Sequence, residues 1–112
     1  MSNQKFELGK QVMTCTISQW LNRVGEKGTS FLKRCAERYV SCDWGEMEET
    51  DLELNNDAVE SGDYRIFASY DLPENLKAFS QDEKIWFITE WDRSATTVLF
   101  PSDYSEVAYG ST

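Results

Sequence analysis

The sequence predicts an α+β fold in which about three helices, mostly N-terminal, pack on a three- to four-stranded antiparallel sheet. Apolar residues recur at helical spacing in the N-terminal part, whereas the last third contains runs of β-forming residues separated by short turns. The length of 112 residues accommodates one domain, and an apolar content of 40% is enough for a hydrophobic core. We therefore expect a single domain over residues 1–112, with frayed ends at 1–5 and 105–112.

Two helices are predicted in the N-terminal part, after a short edge strand near Val12. Thr16-Ile17-Ser18-Gln19 matches a capping box and predicts the start of the first helix, and Gly25 predicts its end. The buried stripe of this helix has the spacing i, i+3, i+4, i+7 and consists of Ile17, Trp20, Leu21 and Val24. The second helix is predicted over residues 29–41, with one apolar face and one mainly basic face.

A third helix is predicted over residues 51–62, because Thr50-Asp51-Leu52-Glu53 is a second capping box and Gly62 follows. Successive helical residues are rotated by about 100°, which places Glu53, Asp57 and Glu60 within about 60° of one another. The opposite, inner arc consists of Leu52, Leu54, Asn55, Ala58 and Val59. This helix is therefore predicted to have one apolar face and one anionic face.

Three strands are predicted in the C-terminal part, at residues 64–70, 84–91 and 95–100. The short turn Asp92-Arg93-Ser94 makes the last two strands a hairpin. Apolar residues occur at both parities of these strands, so parts of both sheet faces are expected to be covered. Pro101 cannot extend the sheet, and the tail after it is predicted to be loop or frayed.

The residue types that are missing exclude several kinds of chemistry. The chain contains no histidine, which rules out Ser-His-Asp triads, Cys-His dyads and histidine-containing zinc sites. Cys15, Cys35 and Cys42 form no CxxC pair, and no dinucleotide-binding or P-loop glycine motif occurs. We expect no cofactor, no metal site and no catalytic residues. The odd cysteine count, with neither a secretory leader nor a membrane-spanning apolar run, favours the cytoplasm.

Charge is distributed unevenly along the chain, whose net charge is −9. Residues 39–64, named here the anionic segment, contain nine acids and no base, whereas residues 1–38 contain seven bases and three acids. This balance disfavours direct nucleic-acid binding, and the expected partner is a basic protein surface and not a membrane. The predicted partner-binding residues are Trp44, expected to be partly exposed in a turn, and Glu46, Glu48, Glu49, Glu53, Asp57, Glu60 and Asp63.

Four stretches of the chain carry a resemblance to a known family. They are Asp43-Trp44-Gly45-Glu46, RIFASY at 65–70, KIWFITE at 84–90 and DRSATTVLFP at 92–101. Over roughly residues 6–104 they resemble a family of small uncharacterised proteins carried by plasmids, phages and integrative elements in bacteria. The chain departs from that family's pattern over Cys35 to Cys42, where a histidine before the Asp-Trp-Gly turn is more typical. The resemblance implies a mobile-DNA setting in a bacterial host cell, and small acidic anti-CRISPR and anti-restriction proteins are of this general type.

The leading functional hypothesis is an inhibitor of a host defence nuclease. The anionic segment would imitate a row of phosphates and cover the basic nucleic-acid site of a Cas effector or restriction complex. One alternative is a solvated helix face that pairs with Lys33, Arg34 and Arg38 of the preceding helix. Another is a structural partner within a mobile-element complex.

An enzyme is the alternative from a different class. Glu90, Asp92 and Arg93 could form a carboxylate pair with an orienting arginine, as in a small accessory or metal-dependent hydrolase. Likewise, Mg²⁺ could be held by Asp43 together with Glu46, Glu48 or Glu49. Neither spacing is diagnostic, because a turn formed by Asp92 and a salt bridge from Arg93 account for the same residues.

Overall fold

The computed structural model describes residues 4–104, and within them the α+β prediction is confirmed. The strands are β1 (Lys10–Met13), β2 (Ile66–Asp71), β3 (Lys84–Thr89) and β4 (Ala95–Leu99), and the helices are α1 (Cys15–Val24), α2 (Glu26–Val40), α3 (Glu49–Ser61) and α4 (Glu74–Lys77). Residues 101–104 form one further helical turn, α5. The sequence predicts only α1 to α3, since single turns such as α4 and α5 are too short to show an amphipathic period.

The four strands form one mixed sheet in the order β1-β4-β3-β2. β3 pairs antiparallel with both β2 and β4, so the predicted hairpin is confirmed. β1 pairs with β4 in parallel, and the prediction of a purely antiparallel sheet is therefore wrong at this strand. Parallel strands are joined by long crossovers and not by a recognisable tight turn, so the sequence carries no local signal for this pairing.

Local capping determines the ends of the first two helices. α1 begins at Cys15, because the Oγ1 of Thr14 accepts a hydrogen bond from the Ile17 amide at 3.3 Å. The capping box predicted at Thr16 is therefore wrong. Gly25 ends α1 as predicted, and α2 begins directly after it, earlier than the predicted residue 29.

α3 lies over the edge of the sheet. It begins at Glu49, before the predicted Asp51, and ends as predicted at Gly62, which has a φ of 72°. Leu54, predicted to face inward, is 61% exposed, because a helix over a sheet edge has only a narrow covered arc. The buried or half-buried members of the predicted arc are Leu52, Asn55, Ala58 and Val59.

A chain of buried hydroxyl groups crosses the core that α1 and α2 form with one sheet face. The Tyr39 hydroxyl lies 2.6 Å from Thr89 Oγ1, which lies 2.7 Å from Thr96 Oγ1, and Thr96 donates to Leu8 O at 2.8 Å. Burial raises the pKa of Tyr39, so its hydroxyl stays protonated. Because Thr96 donates to a carbonyl, Thr89 donates to Thr96, and the Tyr39 hydroxyl shares its proton between Thr89 Oγ1 and Ile66 O at 3.3 Å. These bonds tie α2, β3 and β4 to the N-terminal segment.

The second sheet face is covered in part, as predicted. The ring of Trp86 lies 4.9 Å from that of Phe67 and 5.7 Å from that of Tyr104, measured between centroids.

Lys5, in the segment predicted to fray, donates its N–H to Val40 O at 2.7 Å. Gln4 of the same segment donates from its side chain to Phe6 O at 2.9 Å, and the remaining residues predicted to fray, 1–3 and 105–112, lie outside the described residues.

The loop predicted after Pro101 is wrong for residues 101–104. Pro101 starts α5, where its missing N–H leaves no hydrogen bond unmade. Buried Asp103 accepts from Phe100 N at 3.1 Å and from Thr14 Oγ1 at 2.8 Å. These bonds attach α5 to the start of α1.

Candidate functional site

The anionic segment lies along the outer edge of β2, the last strand of the sheet. An edge strand presents backbone groups that need hydrogen-bond partners. Ser69 N donates to Trp44 O at 3.2 Å, and Glu46 N donates to Ser69 O at 2.9 Å. Gly45, between them, has a φ of 80°, and a Cβ there would lie 2.1 Å from Ser69 O. The turn after α2 therefore acts as a short added strand that only glycine permits.

Asn55 covers a second part of the β2 edge. It is buried on the inner side of α3, and its carboxamide accepts from Phe67 N at 3.1 Å and donates to Phe67 O. These two bonds replace those of a neighbouring strand. Glu46, predicted to bind a partner, serves the same edge, because its Oε2 accepts from Asp71 N at 3.3 Å.

The outer side of α3 carries the exposed carboxylates Glu53, Asp57 and Glu60, which we name the acidic face. None of them forms an ion pair within residues 4–104. The ion pairs found there are Arg38–Asp43, Lys77–Glu74, Lys77–Glu83 and Lys84–Asp71. The alternative in which the anionic segment pairs with α2 is thus realised only at Arg38 and Asp43.

The other predicted carboxylates flank the acidic face. Glu48 and Glu49 are exposed at the N-terminus of α3, where the helix dipole favours anions. Asp63 follows the helix, and its Oδ1 accepts from Tyr64 N at 2.9 Å. These residues lie at the two ends of α3, so the predicted carboxylates form an extended acidic surface rather than one cluster.

The charges of the acidic face oppose the stability of α3. Glu53 and Asp57 are an i, i+4 pair and Asp57 and Glu60 an i, i+3 pair, and such like-charge pairs each cost about 0.2–0.5 kcal/mol. Glu60 also lies in the last turn, which contains no basic residue, and the helix dipole disfavours an anion there. The fold itself therefore gains nothing from these three carboxylates.

Trp44 is buried, with an exposed fraction of 3%, so the expectation of a partly exposed interface anchor is wrong. Its ring centroid lies 5.6 Å from that of Tyr39 and 5.8 Å from that of Phe6. Its Nε1 donates to Asn56 Oδ1 at 3.0 Å, so α3 satisfies the indole N–H. The turn folds back over the core when it joins the β2 edge, and Trp44 packs there.

Asp92 and Arg93, considered together with Glu90 for an enzyme, take part in turn and backbone contacts. The Oδ1 of Asp92 accepts from Ser94 N at 3.0 Å, and hydrogen bonding to Ser94 lowers the pKa of Asp92. Arg93 donates to backbone carbonyls within the described residues and orients no carboxylate there. Asp92 and Ser94 thus form the turn that the sequence predicts as the structural alternative.

Arg93 joins the end of α3 to the β3–β4 turn. Its Nη2 donates to Ala58 O at 2.8 Å, and its Nη1 donates to Tyr64 O at 2.7 Å and to Trp91 O at 2.9 Å. These contacts hold Arg93 at a φ of 61°, which is unfavourable for a residue with a Cβ. Sequence reasoning missed this role, because the Ala58 carbonyl is 35 positions away along the chain.

Asp43, considered above as a ligand of Mg²⁺, forms an ion pair with Arg38. Its carboxylate accepts from Arg38 Nε at 2.8 Å and Nη2 at 3.1 Å, and this hydrogen bonding lowers the pKa of Asp43 and raises that of Arg38. Among residues 4–104, no three potential ligands of the His, Cys, Asp or Glu type are placed to hold a metal ion.

Two exposed aromatic residues lie beside the C-terminal end of α3. Tyr64 is 67% exposed and Trp91 is 61% exposed. Nη1 of Arg93 donates to the backbone carbonyls of both residues, which holds the two backbones near each other. The sequence assigns Trp91 to a strand, but β3 ends at Thr89 and Trp91 lies in the following turn.

No protein-family model, curated protein or solved structure matches this chain. The resemblance to proteins of mobile elements therefore stays a prediction. In the part of the chain that the structure describes, no helix is long and apolar enough to cross a membrane.

Proposed function

We propose that this protein is carried by a mobile element and inhibits a host defence nuclease complex, as anti-CRISPR and anti-restriction proteins do. In the cytoplasm of a bacterial host cell, its acidic face covers a basic nucleic-acid-binding site on a Cas effector or restriction complex. The observation behind the proposal is the exposed row Glu53, Asp57 and Glu60, which forms no ion pair within residues 4–104.

The spacing of this row supports the proposal. A helix rises by about 1.5 Å per residue, so Glu53 and Glu60 lie ~10 Å apart along the helix axis. One strand of duplex DNA has a phosphate every ~3.4 Å along its axis, so about three phosphates occupy the same length. A groove whose lysines and arginines bind a short row of phosphates therefore suits three carboxylates at this spacing.

The energetics of α3 also support the proposal. The carboxylates of the acidic face repel one another and oppose the helix dipole, so they are not explained by the stability of the fold. On the inner side of the helix, Asn55 is bonded to the backbone of β2 and holds α3 in place. Such a row of charges needs little reordering to meet a basic surface, which lowers the entropic cost of binding.

The proposal is tested with wild type and a Glu53/Asp57/Glu60→Lys variant as baits in lysates of bacteria that carry CRISPR–Cas or restriction systems. We expect wild type to recover a nuclease complex and to inhibit its cleavage of target DNA. The variant should recover at least roughly tenfold less of the nuclease complex than wild type does. Added salt should weaken wild-type binding, because the contact is electrostatic.

The matched control is Glu7/Glu37/Glu83→Lys, which changes the net charge equally but alters exposed acids on other parts of the fold. Circular dichroism establishes that each variant is folded. The control should bind like wild type. Recovery of the same complex by wild type and the α3 variant, or an equal loss in both variants, contradicts the proposal.

A further inference from the structure

We infer that Tyr64 and Trp91, named here the aromatic pair, form a docking site for an arginine-bearing segment of the partner protein. The inference rests on the proposed function, because it specifies which side chain the partner presents beside the acidic face. It starts from different observations, namely the exposure, backbone geometry and surroundings of the two aromatic residues.

Hydrogen bonds from Arg93 hold the backbone of the aromatic pair, whereas the side chains of both residues are largely exposed. Arg93 Nη1 donates to both carbonyls, at 2.7 Å to Tyr64 and 2.9 Å to Trp91. The two residues are 67% and 61% exposed, and neither ring contacts another aromatic ring within residues 4–104. Tyrosine and tryptophan offer a large contact area with few rotatable bonds, so a partner binds them at a low cost in conformational entropy.

Tyr64 has a strained backbone that its own burial does not explain. Its φ is 70°, in the left-handed region that glycine or asparagine occupies more readily. A large aromatic side chain at such a position gains little from packing when two-thirds of it is exposed. Residues held in sparsely populated backbone regions cluster at functional sites, and Tyr64 combines this strain with an exposed ring.

The charges around the aromatic pair favour a cationic partner. Residues 57–65 and 90–93 contain five acids and two arginines, and one of these, Arg93, is bonded to backbone carbonyls. This excess of negative charge repels phosphates, so stacking of nucleic-acid bases on the rings is disfavoured. A guanidinium is attracted by the carboxylates and stacks on tryptophan and tyrosine rings, which an ammonium does less well.

Poly-arginine and poly-lysine peptides of equal length test the inference with defined probes. Both carry the same charge, but a guanidinium also binds carboxylates bidentately, so the contribution of the aromatic pair is the part of the arginine preference that is lost when its rings are removed. We expect wild type to bind poly-arginine at least about threefold more tightly than poly-lysine. In NMR titrations, the indole N–H signal of Trp91 should shift, while those of buried Trp20 and Trp44 should not.

Trp91→Ala and Tyr64→Ala should each reduce the preference for arginine, because they lower the affinity for poly-arginine more than the affinity for poly-lysine. Tyr64→Asn removes the ring but suits the left-handed backbone, so it guards against loss of folding. Phe79→Ala is the matched control, because Phe79 is 46% exposed and lies beyond the opposite end of β3. It should retain the full preference.

Equal affinity of wild type for the two peptides, or a preference that survives in all aromatic-pair variants, overturns the inference. Binding of a single-stranded oligonucleotide that Trp91→Ala abolishes also overturns it, since the rings would then stack on bases. The Glu53/Asp57/Glu60→Lys variant tests the proposed function separately. It should weaken binding of both peptides, and unchanged binding of both would count against the acidic face without bearing on the arginine preference.

Discussion

Three single side chains, Asn55, Arg93 and Asp103, satisfy backbone groups that regular secondary structure leaves open. Asn55 bonds the edge of β2, Arg93 bonds carbonyls at the end of α3, and Asp103 bonds the amide that precedes α5. Hydrogen bonds to charged groups contribute about 1.5–3 kcal/mol each, more than those between neutral groups. Individual polar residues therefore decide how α3 is attached to the sheet and how α5 is attached to the start of α1.

Asp43 gives a prediction at the same scale. Its folded-state pKa lies below the ordinary value of 3.8, so its pair with Arg38 stabilises the fold above that pH and is lost as pH falls through the folded-state pKa. Asp43→Asn should lower the free energy of unfolding at neutral pH by about 0.5–1 kcal/mol, a modest value because both side chains are more than one-third exposed. The deficit should shrink on acidification below pH 3.8.

Urea unfolding at neutral and acidic pH measures this difference. Asp57→Asn is the matched control, because Asp57 forms no ion pair within residues 4–104. The effect of Asp57→Asn on the free energy of unfolding should be small at both pH values. A deficit for Asp43→Asn that is the same in acid as at neutral pH would contradict the role of the ion pair.

At the scale of elements, α3 has a structural side and an unpartnered side. Its inner side covers the β2 edge through Asn55, and its C-terminal carbonyl at Ala58 is bonded by Arg93. Its outer side holds the acidic face, whose charges lower the stability of the helix. Contacts from neighbouring elements thus keep in place a helix that its own surface charges disfavour.

Arg93→Lys tests this attachment. A lysine cannot reach carbonyls of α3 and both turns at once, although it keeps the charge and the same backbone strain. We expect a loss of about 1–3 kcal/mol in the free energy of unfolding, together with faster amide exchange at the C-terminal end of α3.

Asp92→Asn is the comparison, because Asp92 is exposed and its Oδ1 acceptor is retained as the amide oxygen. Its effect on stability should stay within about 0.5 kcal/mol. Equal stability of Arg93→Lys and wild type would show that the guanidinium contacts contribute little.

At the scale of the whole molecule, charge is distributed asymmetrically, because nine of the twenty acidic residues lie in the anionic segment along one edge of the sheet. The basic residues occur mainly in the N-terminal part, and the anionic segment contains none. Such an asymmetric distribution steers the molecule towards a basic surface in a preferred orientation and raises its association rate at low salt.

The same distribution predicts how stability responds to salt. Reversal of the acidic face to lysine should raise the free energy of unfolding at low ionic strength. The three new charges still repel one another, but they attract the remaining carboxylates of the anionic segment, and a cation at position 60 suits the C-terminal end of the helix dipole. The gain should fall at high ionic strength, where these charges are screened. Urea titrations of both proteins at two salt concentrations measure it, and a variant less stable than wild type at low salt would imply structural partners for these carboxylates.

The helices and strands were predictable to the extent that local interactions determine them. Gly25 and Gly62 end helices as the sequence predicts, and Asn55 faces inward because the helical period places it there. The capping position was less predictable, since Thr14 and Thr16 are both suitable and the bond to Asp103 engages Thr14. The acidic face could be predicted from residue spacing alone, whereas the exposure of Leu54 depends on the position of α3 over the edge of the sheet.

The sequence by itself determined the α+β class, the hairpin, the main helices and the separation of charge, because these follow from periods, turns and composition within short stretches. Only the tertiary structure decided that β1 pairs in parallel with β4, that Trp44 is buried and that Arg93 holds Tyr64 beside Trp91. Each of these depends on groups far apart in the chain, which meet only when the whole sheet closes. Local propensity does not predict such long-range contacts, since their free energy comes from burial and from hydrogen bonds that exist only in the folded protein.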